Sequence, residues 1–370
     1  DLGAGFFPAF VDVDADGLLD IIAGNDRLNV SGQYNFSGLA YFRNTGTATS
    51  PSFDLVTRDY GNFSATFSPI RYGFYPTFGD LDADGDLDMI LGDAMGKVSF
   101  FRNSAGAGQP LNLIIEIQDY NGIDVGAYAA PQLIDMDRDG LLDLVIGEES
   151  STLNYFRNTG TASSFQFASI PDNDFFGGVE IEEDCCTGYS TPFFMEYTVP
   201  GAYDLFLGSE RGMIFQYGNI DGNLSGAFTL VDSFFMGFKE GGRTTFAAAD
   251  LTGDGDPEFA IGNYCGGFAL FERSTVSIPS GGFSDSGFRV YPNPITNATI
   301  FIESFKTHSG QVSIELTDLN GRLIFSDILS FYSGKTSIST DFLQSGMYLL
   351  KVKTSENTGN FKVVITRNQE

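Results

Sequence analysis

Pro76-Thr-Phe-Gly-Asp80-Leu-Asp82-Ala-Asp84-Gly-Asp-Leu-Asp88-Met-Ile-Leu-Gly92 is the stretch from which the fold can be read. Apolar residues precede an acidic loop and follow it. The following run, Leu87 to Gly92, is too short for a helix and stops at glycine. Such a pattern predicts a β-hairpin with an acidic tip. The same arrangement aligns without gaps at Pro8 to Gly24, Pro131 to Gly147, Pro192 to Gly208 and Phe246 to Gly262. Its first acids, Asp12, Asp80, Asp135, Glu196 and Asp250, lie 54 to 68 residues apart.

A second block follows most of these hairpins: Leu39-Ala-Tyr-Phe-Arg-Asn-Thr-Gly46, Val98 to Ser104, Leu153 to Gly160 and, more loosely, Met213 to Asn219 and Phe268 to Arg273. It reads as a third strand with a turn. A fourth apolar stretch, such as Phe53 to Val56 or Leu113 to Ile117, completes about four strands per repeat. Antiparallel units of this size recurring at this period predict an all-β chain whose first part is a β-propeller of about five visible four-stranded blades. An open array of hairpins is the plainer alternative, and the coils of a β-helix are much shorter than this period.

The loop Asp-x-Asp-x-Asp-Gly-x-x-Asp occurs intact three times: Asp12, Asp14, Asp16 and Asp20; Asp80, Asp82, Asp84 and Asp88; Asp135, Asp137, Asp139 and Asp143. Alternate carboxylates in a tight loop point at one centre, and Gly17, Gly85 or Gly140 permits the turn that wraps them. Hard oxygen donors in a flexible loop favour Ca²⁺ over transition metals and over Mg²⁺. An EF-hand starts alike but needs a bidentate Glu at loop position 12 and flanking helices. Here that position is Ala23, Leu91 or Ile146, and the carboxylate at position 9 is expected to close the loop. The fifth copy substitutes Thr252 for one acid and keeps Asp250, Asp254 and Glu258, which predicts weaker binding; the fourth keeps only Glu196 and Asp204 and is expected to have lost its ion.

These repeats resemble the FG-GAP or VCBS family, the blades of integrin α-subunit heads and of many bacterial surface proteins, over roughly residues 1–273. The resemblance implies that the acids named above in repeats one, two, three and five are calcium ligands. Propellers of that family usually have seven blades. Five motifs leave two readings: a smaller ring closed by the N-terminal segment, or blades lying upstream.

After Arg273 the composition shifts, and Ser274 to Gly287 reads as a Ser/Gly-rich linker. Residues 288–370 then carry short alternating strands without acidic loops, as at Gln311 to Arg322, Ser345 to Val352 and Phe361 to Thr366, which predicts a small β-sandwich. With its Tyr291-Pro-Asn-Pro294 opening, Asp318-Leu-Asn-Gly-Arg322 centre and Ser345-Gly-Met-Tyr348 stretch, this segment resembles the type A sorting domain of the type IX secretion system of Bacteroidetes. That resemblance implies export across the outer membrane by the secretion machinery, and then cleavage near the linker with release or surface attachment. An extracellular setting also suits weak calcium loops, since extracellular modules bind at about 10⁻⁴ to 10⁻³ M.

Composition narrows the function classes. The chain has 370 residues, 42% of them hydrophobic, with 37 Phe, 16 Tyr and no Trp, which suits short strands. Against 48 acidic residues stand 20 Lys and Arg, a formal net charge of -28 that repels phosphate backbones and excludes nucleic acid as a partner. No apolar run of about 18 residues predicts a transmembrane segment. The chain opens at Asp1 with neither Met nor signal peptide, which reads as a mature form or a fragment of a longer protein. Cys185, Cys186 and Cys265 match no zinc or redox spacing, leaving open one bridge from Cys265 to one of the adjacent pair.

The single histidine, His308, falls in the C-terminal segment, so a histidine-based triad in the propeller is excluded; paired carboxylates remain the one catalytic arrangement available. The expectation is a binding or adhesion module and not an enzyme, its partner an extracellular protein or a polysaccharide. The alternative is a non-catalytic portion of a larger secreted carbohydrate-active enzyme or polysaccharide-binding protein. The long insert Asp172 to Ser190, with Phe175, Phe176, Glu180, Glu182, Glu183, Asp184, Cys185 and Cys186, is the candidate contact surface; it reads equally as a covering loop with a local disulfide.

Overall fold

The computed structural model describes residues 4–26, 37–67, 71–181, 188–237, 241–271, 288–291, 299–304, 311–317, 322–330, 335–354 and 358–365. The chain divides into two compact units, Asp1–Arg273 and Ser274–Glu370. Both are built from small antiparallel sheets.

In the first unit each repeat forms one sheet in simple up-and-down order. The first sheet comprises β1 (Phe7–Val11), β2 (Asp20–Gly24), β3 (Leu39–Asn44) and β4 (Phe53–Thr57). The second comprises β5 (Tyr75–Gly79), β6 (Asp88–Gly92), β7 (Val98–Asn103) and β8 (Leu113–Ile117). The third has β9 (Ala130–Ile134), β10 (Asp143–Gly147) and β11 (Leu153–Phe156). The fourth has β12 (Thr191–Glu196), β13 (Tyr203–Gly208), β14 (Ile214–Gly218) and β15 (Thr229–Asp232). The fifth has β16 (Thr245–Ala249), β17 (Glu258–Gly262) and β18 (Phe268–Phe271).

Four strands per repeat therefore hold in three sheets. In the third, the segment after β11 is drawn sideways: the Phe167 amide donates to the Tyr120 hydroxyl and Asn121 Nδ2 donates to the Phe167 carbonyl, so only an isolated bridge from Tyr155 to Asn173 continues the sheet. In the fifth, the chain leaves the described residues after β18.

The second strand of each of these five sheets is buried at all five positions of its Asp or Glu to Gly run, because it is flanked by strands on both edges and by neighbouring sheets on both faces. The first strand is an inner edge. Proline is tolerated there at Pro8, Pro76, Pro131 and Pro192, since one side of the strand has no ladder to complete. First strands neighbour one another in chain order, β1 with β5, β5 with β9, β9 with β12, β12 with β16 and β16 with β1, around a cavity of about 260 Å³.

The glycine ending each second strand explains how closely the sheets approach. An added Cβ at Gly24, Gly92, Gly147, Gly208 or Gly262 would overlap the backbone carbonyl of Phe74, Ala129, Ser190, Thr244 or Phe6 respectively. Side chains fasten the same seams: Thr77 Oγ1 accepts from the Leu133 amide, Gln132 exchanges two hydrogen bonds with Phe194, and Thr245 Oγ1 donates to the Phe6 carbonyl. Aromatic residues fill the wedges between sheets, as with Phe176, Phe194 and Phe228. Each large buried side chain of this kind contributes about 1.5–3 kcal/mol relative to exposure.

The second unit has a three-stranded sheet of β19 (Phe288–Tyr291), β20 (Thr299–Ser304) and β23 (Lys335–Ser339), and a four-stranded sheet of β21 (Gln311–Thr317), β22 (Leu323–Ser330), β24 (Gly346–Lys353) and β25 (Thr358–Ile365). Alternate residues of both sheets, such as Ile300 and Ile302 with Ile314, Leu350 and Val363, share one core.

Candidate metal centres

The acidic loops join first and second strands at one end of each hairpin, and all five fold alike. In each, the first carboxylate turns back onto the glycine amide at position 6: Gly17 to Asp12 (2.9 Å), Gly85 to Asp80 (3.2 Å), Gly140 to Asp135 (3.0 Å), Gly201 to Glu196 (2.8 Å) and Gly255 to Asp250 (2.9 Å). The glycine requirement is real, with φ from 80° to 89° at these positions, a region that favours glycine.

Among the described residues, three groups of carboxylates have ligand oxygens within 4.8 Å of one another: Asp12, Asp14 and Asp20; Asp80, Asp82 and Asp84; Asp135, Asp137 and Asp139. The remaining candidates, Asp16, Asp88, Asp143 and the fifth-loop acids Asp250, Asp254 and Glu258, lie outside these groups. Within two of the groups, Asp14 Oδ1 and Asp135 Oδ1 are buried oxygens with no hydrogen-bond partner. A buried, unpaired carboxylate oxygen among other carboxylates fits a hard cation, which would satisfy all of them at once.

The position-9 acid does more than close a loop. Asp20 accepts from the amides of Val13 and Asn44 and from the Tyr41 hydroxyl; Asp143 accepts from the amides of Met136 and Asn158 and from the Tyr155 hydroxyl. Asp88 takes the amides of Leu81 and Asn103, and Glu258 that of Leu251. In the loop without an intact motif, Asp204 still accepts from Thr198 and Gln216. This buried carboxylate therefore ties loop to third-strand block in the first four sheets, the fourth of which lacks a complete motif, while Glu258 holds its own loop. Burial pushes Asp20 and Glu258 up, and pushes Asp88 and Asp143 up to about 6, against the pull of the amides that donate to them.

Sequence reasoning took the Phe-Arg-Asn block only as a strand, yet its two polar residues serve the loop. Arg43 pairs with Asp14 and Asp16, Arg102 with Asp82, and Arg157 with Asp137 and Asp139. The following asparagine, Asn44, Asn103 or Asn158, sends its amide to the position-9 acid while its Oδ1 accepts two amides of the turn beyond. The signal was present as an Arg-Asn pair recurring after the acidic loop in the first three repeats, at the same distance from the last acid in the second and third and nine residues further in the first.

The fourth loop, which keeps only its end acids, is met by Arg138 from the third. Its guanidinium lies 3.6 Å from the centre of the Tyr203 ring, 3.1 Å from Glu196 Oε1 and 3.1 Å from Asp221 Oδ1, and donates to the Gly201 carbonyl. A side-chain cation thus stands among the oxygens of the loop whose acids were lost.

Of the two readings of the insert Asp172 to Ser190, its described part follows the covering loop. Phe176, Val179 and Ile181 are buried in the core between the third and fourth sheets, because the insert packs against Tyr155 and Phe228 instead of projecting. Phe175 remains exposed. Glu182, Glu183, Asp184, Cys185 and Cys186 lie outside the described residues, as do His308 and the linker; Cys265 is exposed.

Residues 289–366 match the family described as secretion system C-terminal sorting domain. The second unit is thus a sorting domain of the type that directs proteins through the type IX system, and the protein's destination is the cell surface or the extracellular space. No curated protein matches the chain. A solved structure, the extracellular domain of a one-component system from B. thetaiotaomicron, aligns with 99% of this chain and 58% of its own at 12% identity and a TM-score of 0.28, a likeness that carries no argument. Among the described residues no helix is long and apolar enough to cross a membrane.

Proposed function

We propose that the first unit is a closed five-bladed propeller of FG-GAP or VCBS type, stabilised by calcium at its acidic loops, and that it serves outside the cell as a non-catalytic binding or adhesion module. The observation that carries this reading is the threefold gathering of loop carboxylates within 4.8 Å, each on the same hairpin frame. The cyclic order of first strands, with β16 against β1, supports closure without upstream blades. Export by the sorting domain supports it further, because extracellular calcium is abundant enough to fill loops of modest affinity.

Asp80, Asp82 and Asp84 in loop two, Asp12, Asp14 and Asp20 in loop one, and Asp135, Asp137 and Asp139 in loop three would hold the ions, which would supply no chemistry beyond cross-linking the hairpin tips. The secretion machinery is the partner of the second unit; the partner of the first is an extracellular protein or polysaccharide. Thermal unfolding of the full chain in EDTA, in millimolar Ca²⁺ and in Mg²⁺ tests the reading. A calcium-specific rise in midpoint, reduced by Asp82→Ala with Asp137→Ala and abolished when Asp14→Ala is added, is expected; equal midpoints in EDTA and Ca²⁺ would sink the metal assignment.

A further inference from the structure

The hairpin ends away from the acidic loops carry a second construction. Two residues before each first strand the backbone takes a positive φ in all five repeats. Repeats one and two place Gly5 and Gly73 there, which adopt it freely; repeats three, four and five place Tyr128, Tyr189 and Arg243, with φ of 56°, 52° and 50°. Bulky residues held in this region at equivalent positions are strained, and strain of this kind concentrates at functional sites.

Their side chains converge. The Arg243 guanidinium lies 3.8 Å from the centre of the Tyr189 ring, 4.6 Å from Tyr264 and 4.9 Å from Tyr128, donates to the Tyr189 hydroxyl at 2.6 Å, and pairs with Glu210 at 3.4 Å. Glu149 accepts from the Tyr189 hydroxyl, Tyr72 meets Tyr128 edge to face, and burial together with the nearby Asp26 carboxylate pushes the Tyr264 hydroxyl up. All five repeats contribute. Tyr264 is 37% exposed and its ring lies against Arg243, so it offers aromatic surface turned partly to solvent.

We propose that this end of the first unit binds a neutral saccharide, with Tyr264 as the stacking platform and Glu210 and Arg243 as hydrogen-bonding groups for ring hydroxyls. The cluster holds three carboxylates, Glu210, Glu149 and Asp26, against one guanidinium, a balance that disfavours anions. A cationic ligand would be repelled by the Arg243 guanidinium, which lies within 4.9 Å of the centres of three tyrosine rings, Tyr264 among them. A purely apolar ligand would leave the charged groups desolvated and unpaired. A polyhydroxylated ring offers C–H faces to the aromatic and hydroxyls to the charges. The site deepens the binding-module reading but stands on contacts independent of the metal loops.

Native affinity electrophoresis of the full chain through gels containing soluble β-glucan, xyloglucan, galactomannan or arabinan, at saturating Ca²⁺, tests it. Retardation by at least one of these is expected. Tyr264→Ala should weaken it by about tenfold or more while Tyr264→Phe retains most of it, both with wild-type melting midpoints. Retardation unchanged in Tyr264→Ala, no retardation by any of the four, or binding only to polyarginine or to anionic polysaccharides would overturn the proposal. Loss of a calcium shift in the melting experiment would leave this result standing.

Discussion

Gly262, the last residue of β17, lies against the carbonyl of Phe6, just ahead of β1, so closely that a side chain on it would overlap that oxygen. The Thr245 hydroxyl donates to the same carbonyl at 2.8 Å. The fifth sheet thus meets the first by the contact that Gly24, Gly92, Gly147 and Gly208 make with the sheets that follow them. Gly262→Val should destabilise the first unit by about 3 kcal/mol in urea unfolding, whereas Gly267→Ala, with open space around it and an ordinary φ, should stay within about 0.5 kcal/mol of wild type.

Arg157 and a cation would share Asp137 and Asp139. Replacing Arg157 by Met should lower the melting midpoint in EDTA, where the guanidinium is the loop's neutralising charge, and enlarge the gain on adding Ca²⁺, because a competitor has gone. A calcium titration followed by melting reads both effects.

Arg138 behaves differently, because its guanidinium reaches out of the third loop to the fourth, where no intact acidic motif remains. Arg138→Ala should cost about 1–2 kcal/mol through loss of the Tyr203 stack and the Glu196 and Asp221 pairs. Saturating Ca²⁺ should not recover that loss, in contrast to Arg157→Met; urea unfolding with and without the ion distinguishes the two.

Asp88 and Asp143 titrate near 6 in the folded chain against an ordinary 3.8. Between those values the folded state holds protons that the unfolded state has released, so their contribution is most favourable below about 4 and falls as pH rises through about 6. Metal-free protein should therefore gain midpoint from these groups between pH 7 and pH 5, while calcium-loaded protein should lose midpoint as protons compete for the loop. Melting curves across that range, after dialysis against chelator, give the two opposite slopes.

Export depends on the second unit. Deleting residues 288–370 should leave the first unit on the periplasmic side of the outer membrane, detected by fractionation and immunoblot.

The repeat was legible because a hairpin is local: alternating apolar residues, a glycine forced into positive φ and acids at alternate positions all lie within seventeen consecutive residues such as Pro76 to Gly92. The sorting domain was legible for the same reason, in its Tyr291-Pro-Asn-Pro294 opening and the short motifs after it. What the residue order left open was which distant groups meet. Arg138 reaches Asp221, Tyr189 reaches Arg243, and Phe176 turns inward, each across a boundary between sheets. Hairpin formation follows from backbone propensity and local hydrogen bonding, whereas these meetings depend on the way five twisted sheets pack, and that packing is set only when the whole unit folds.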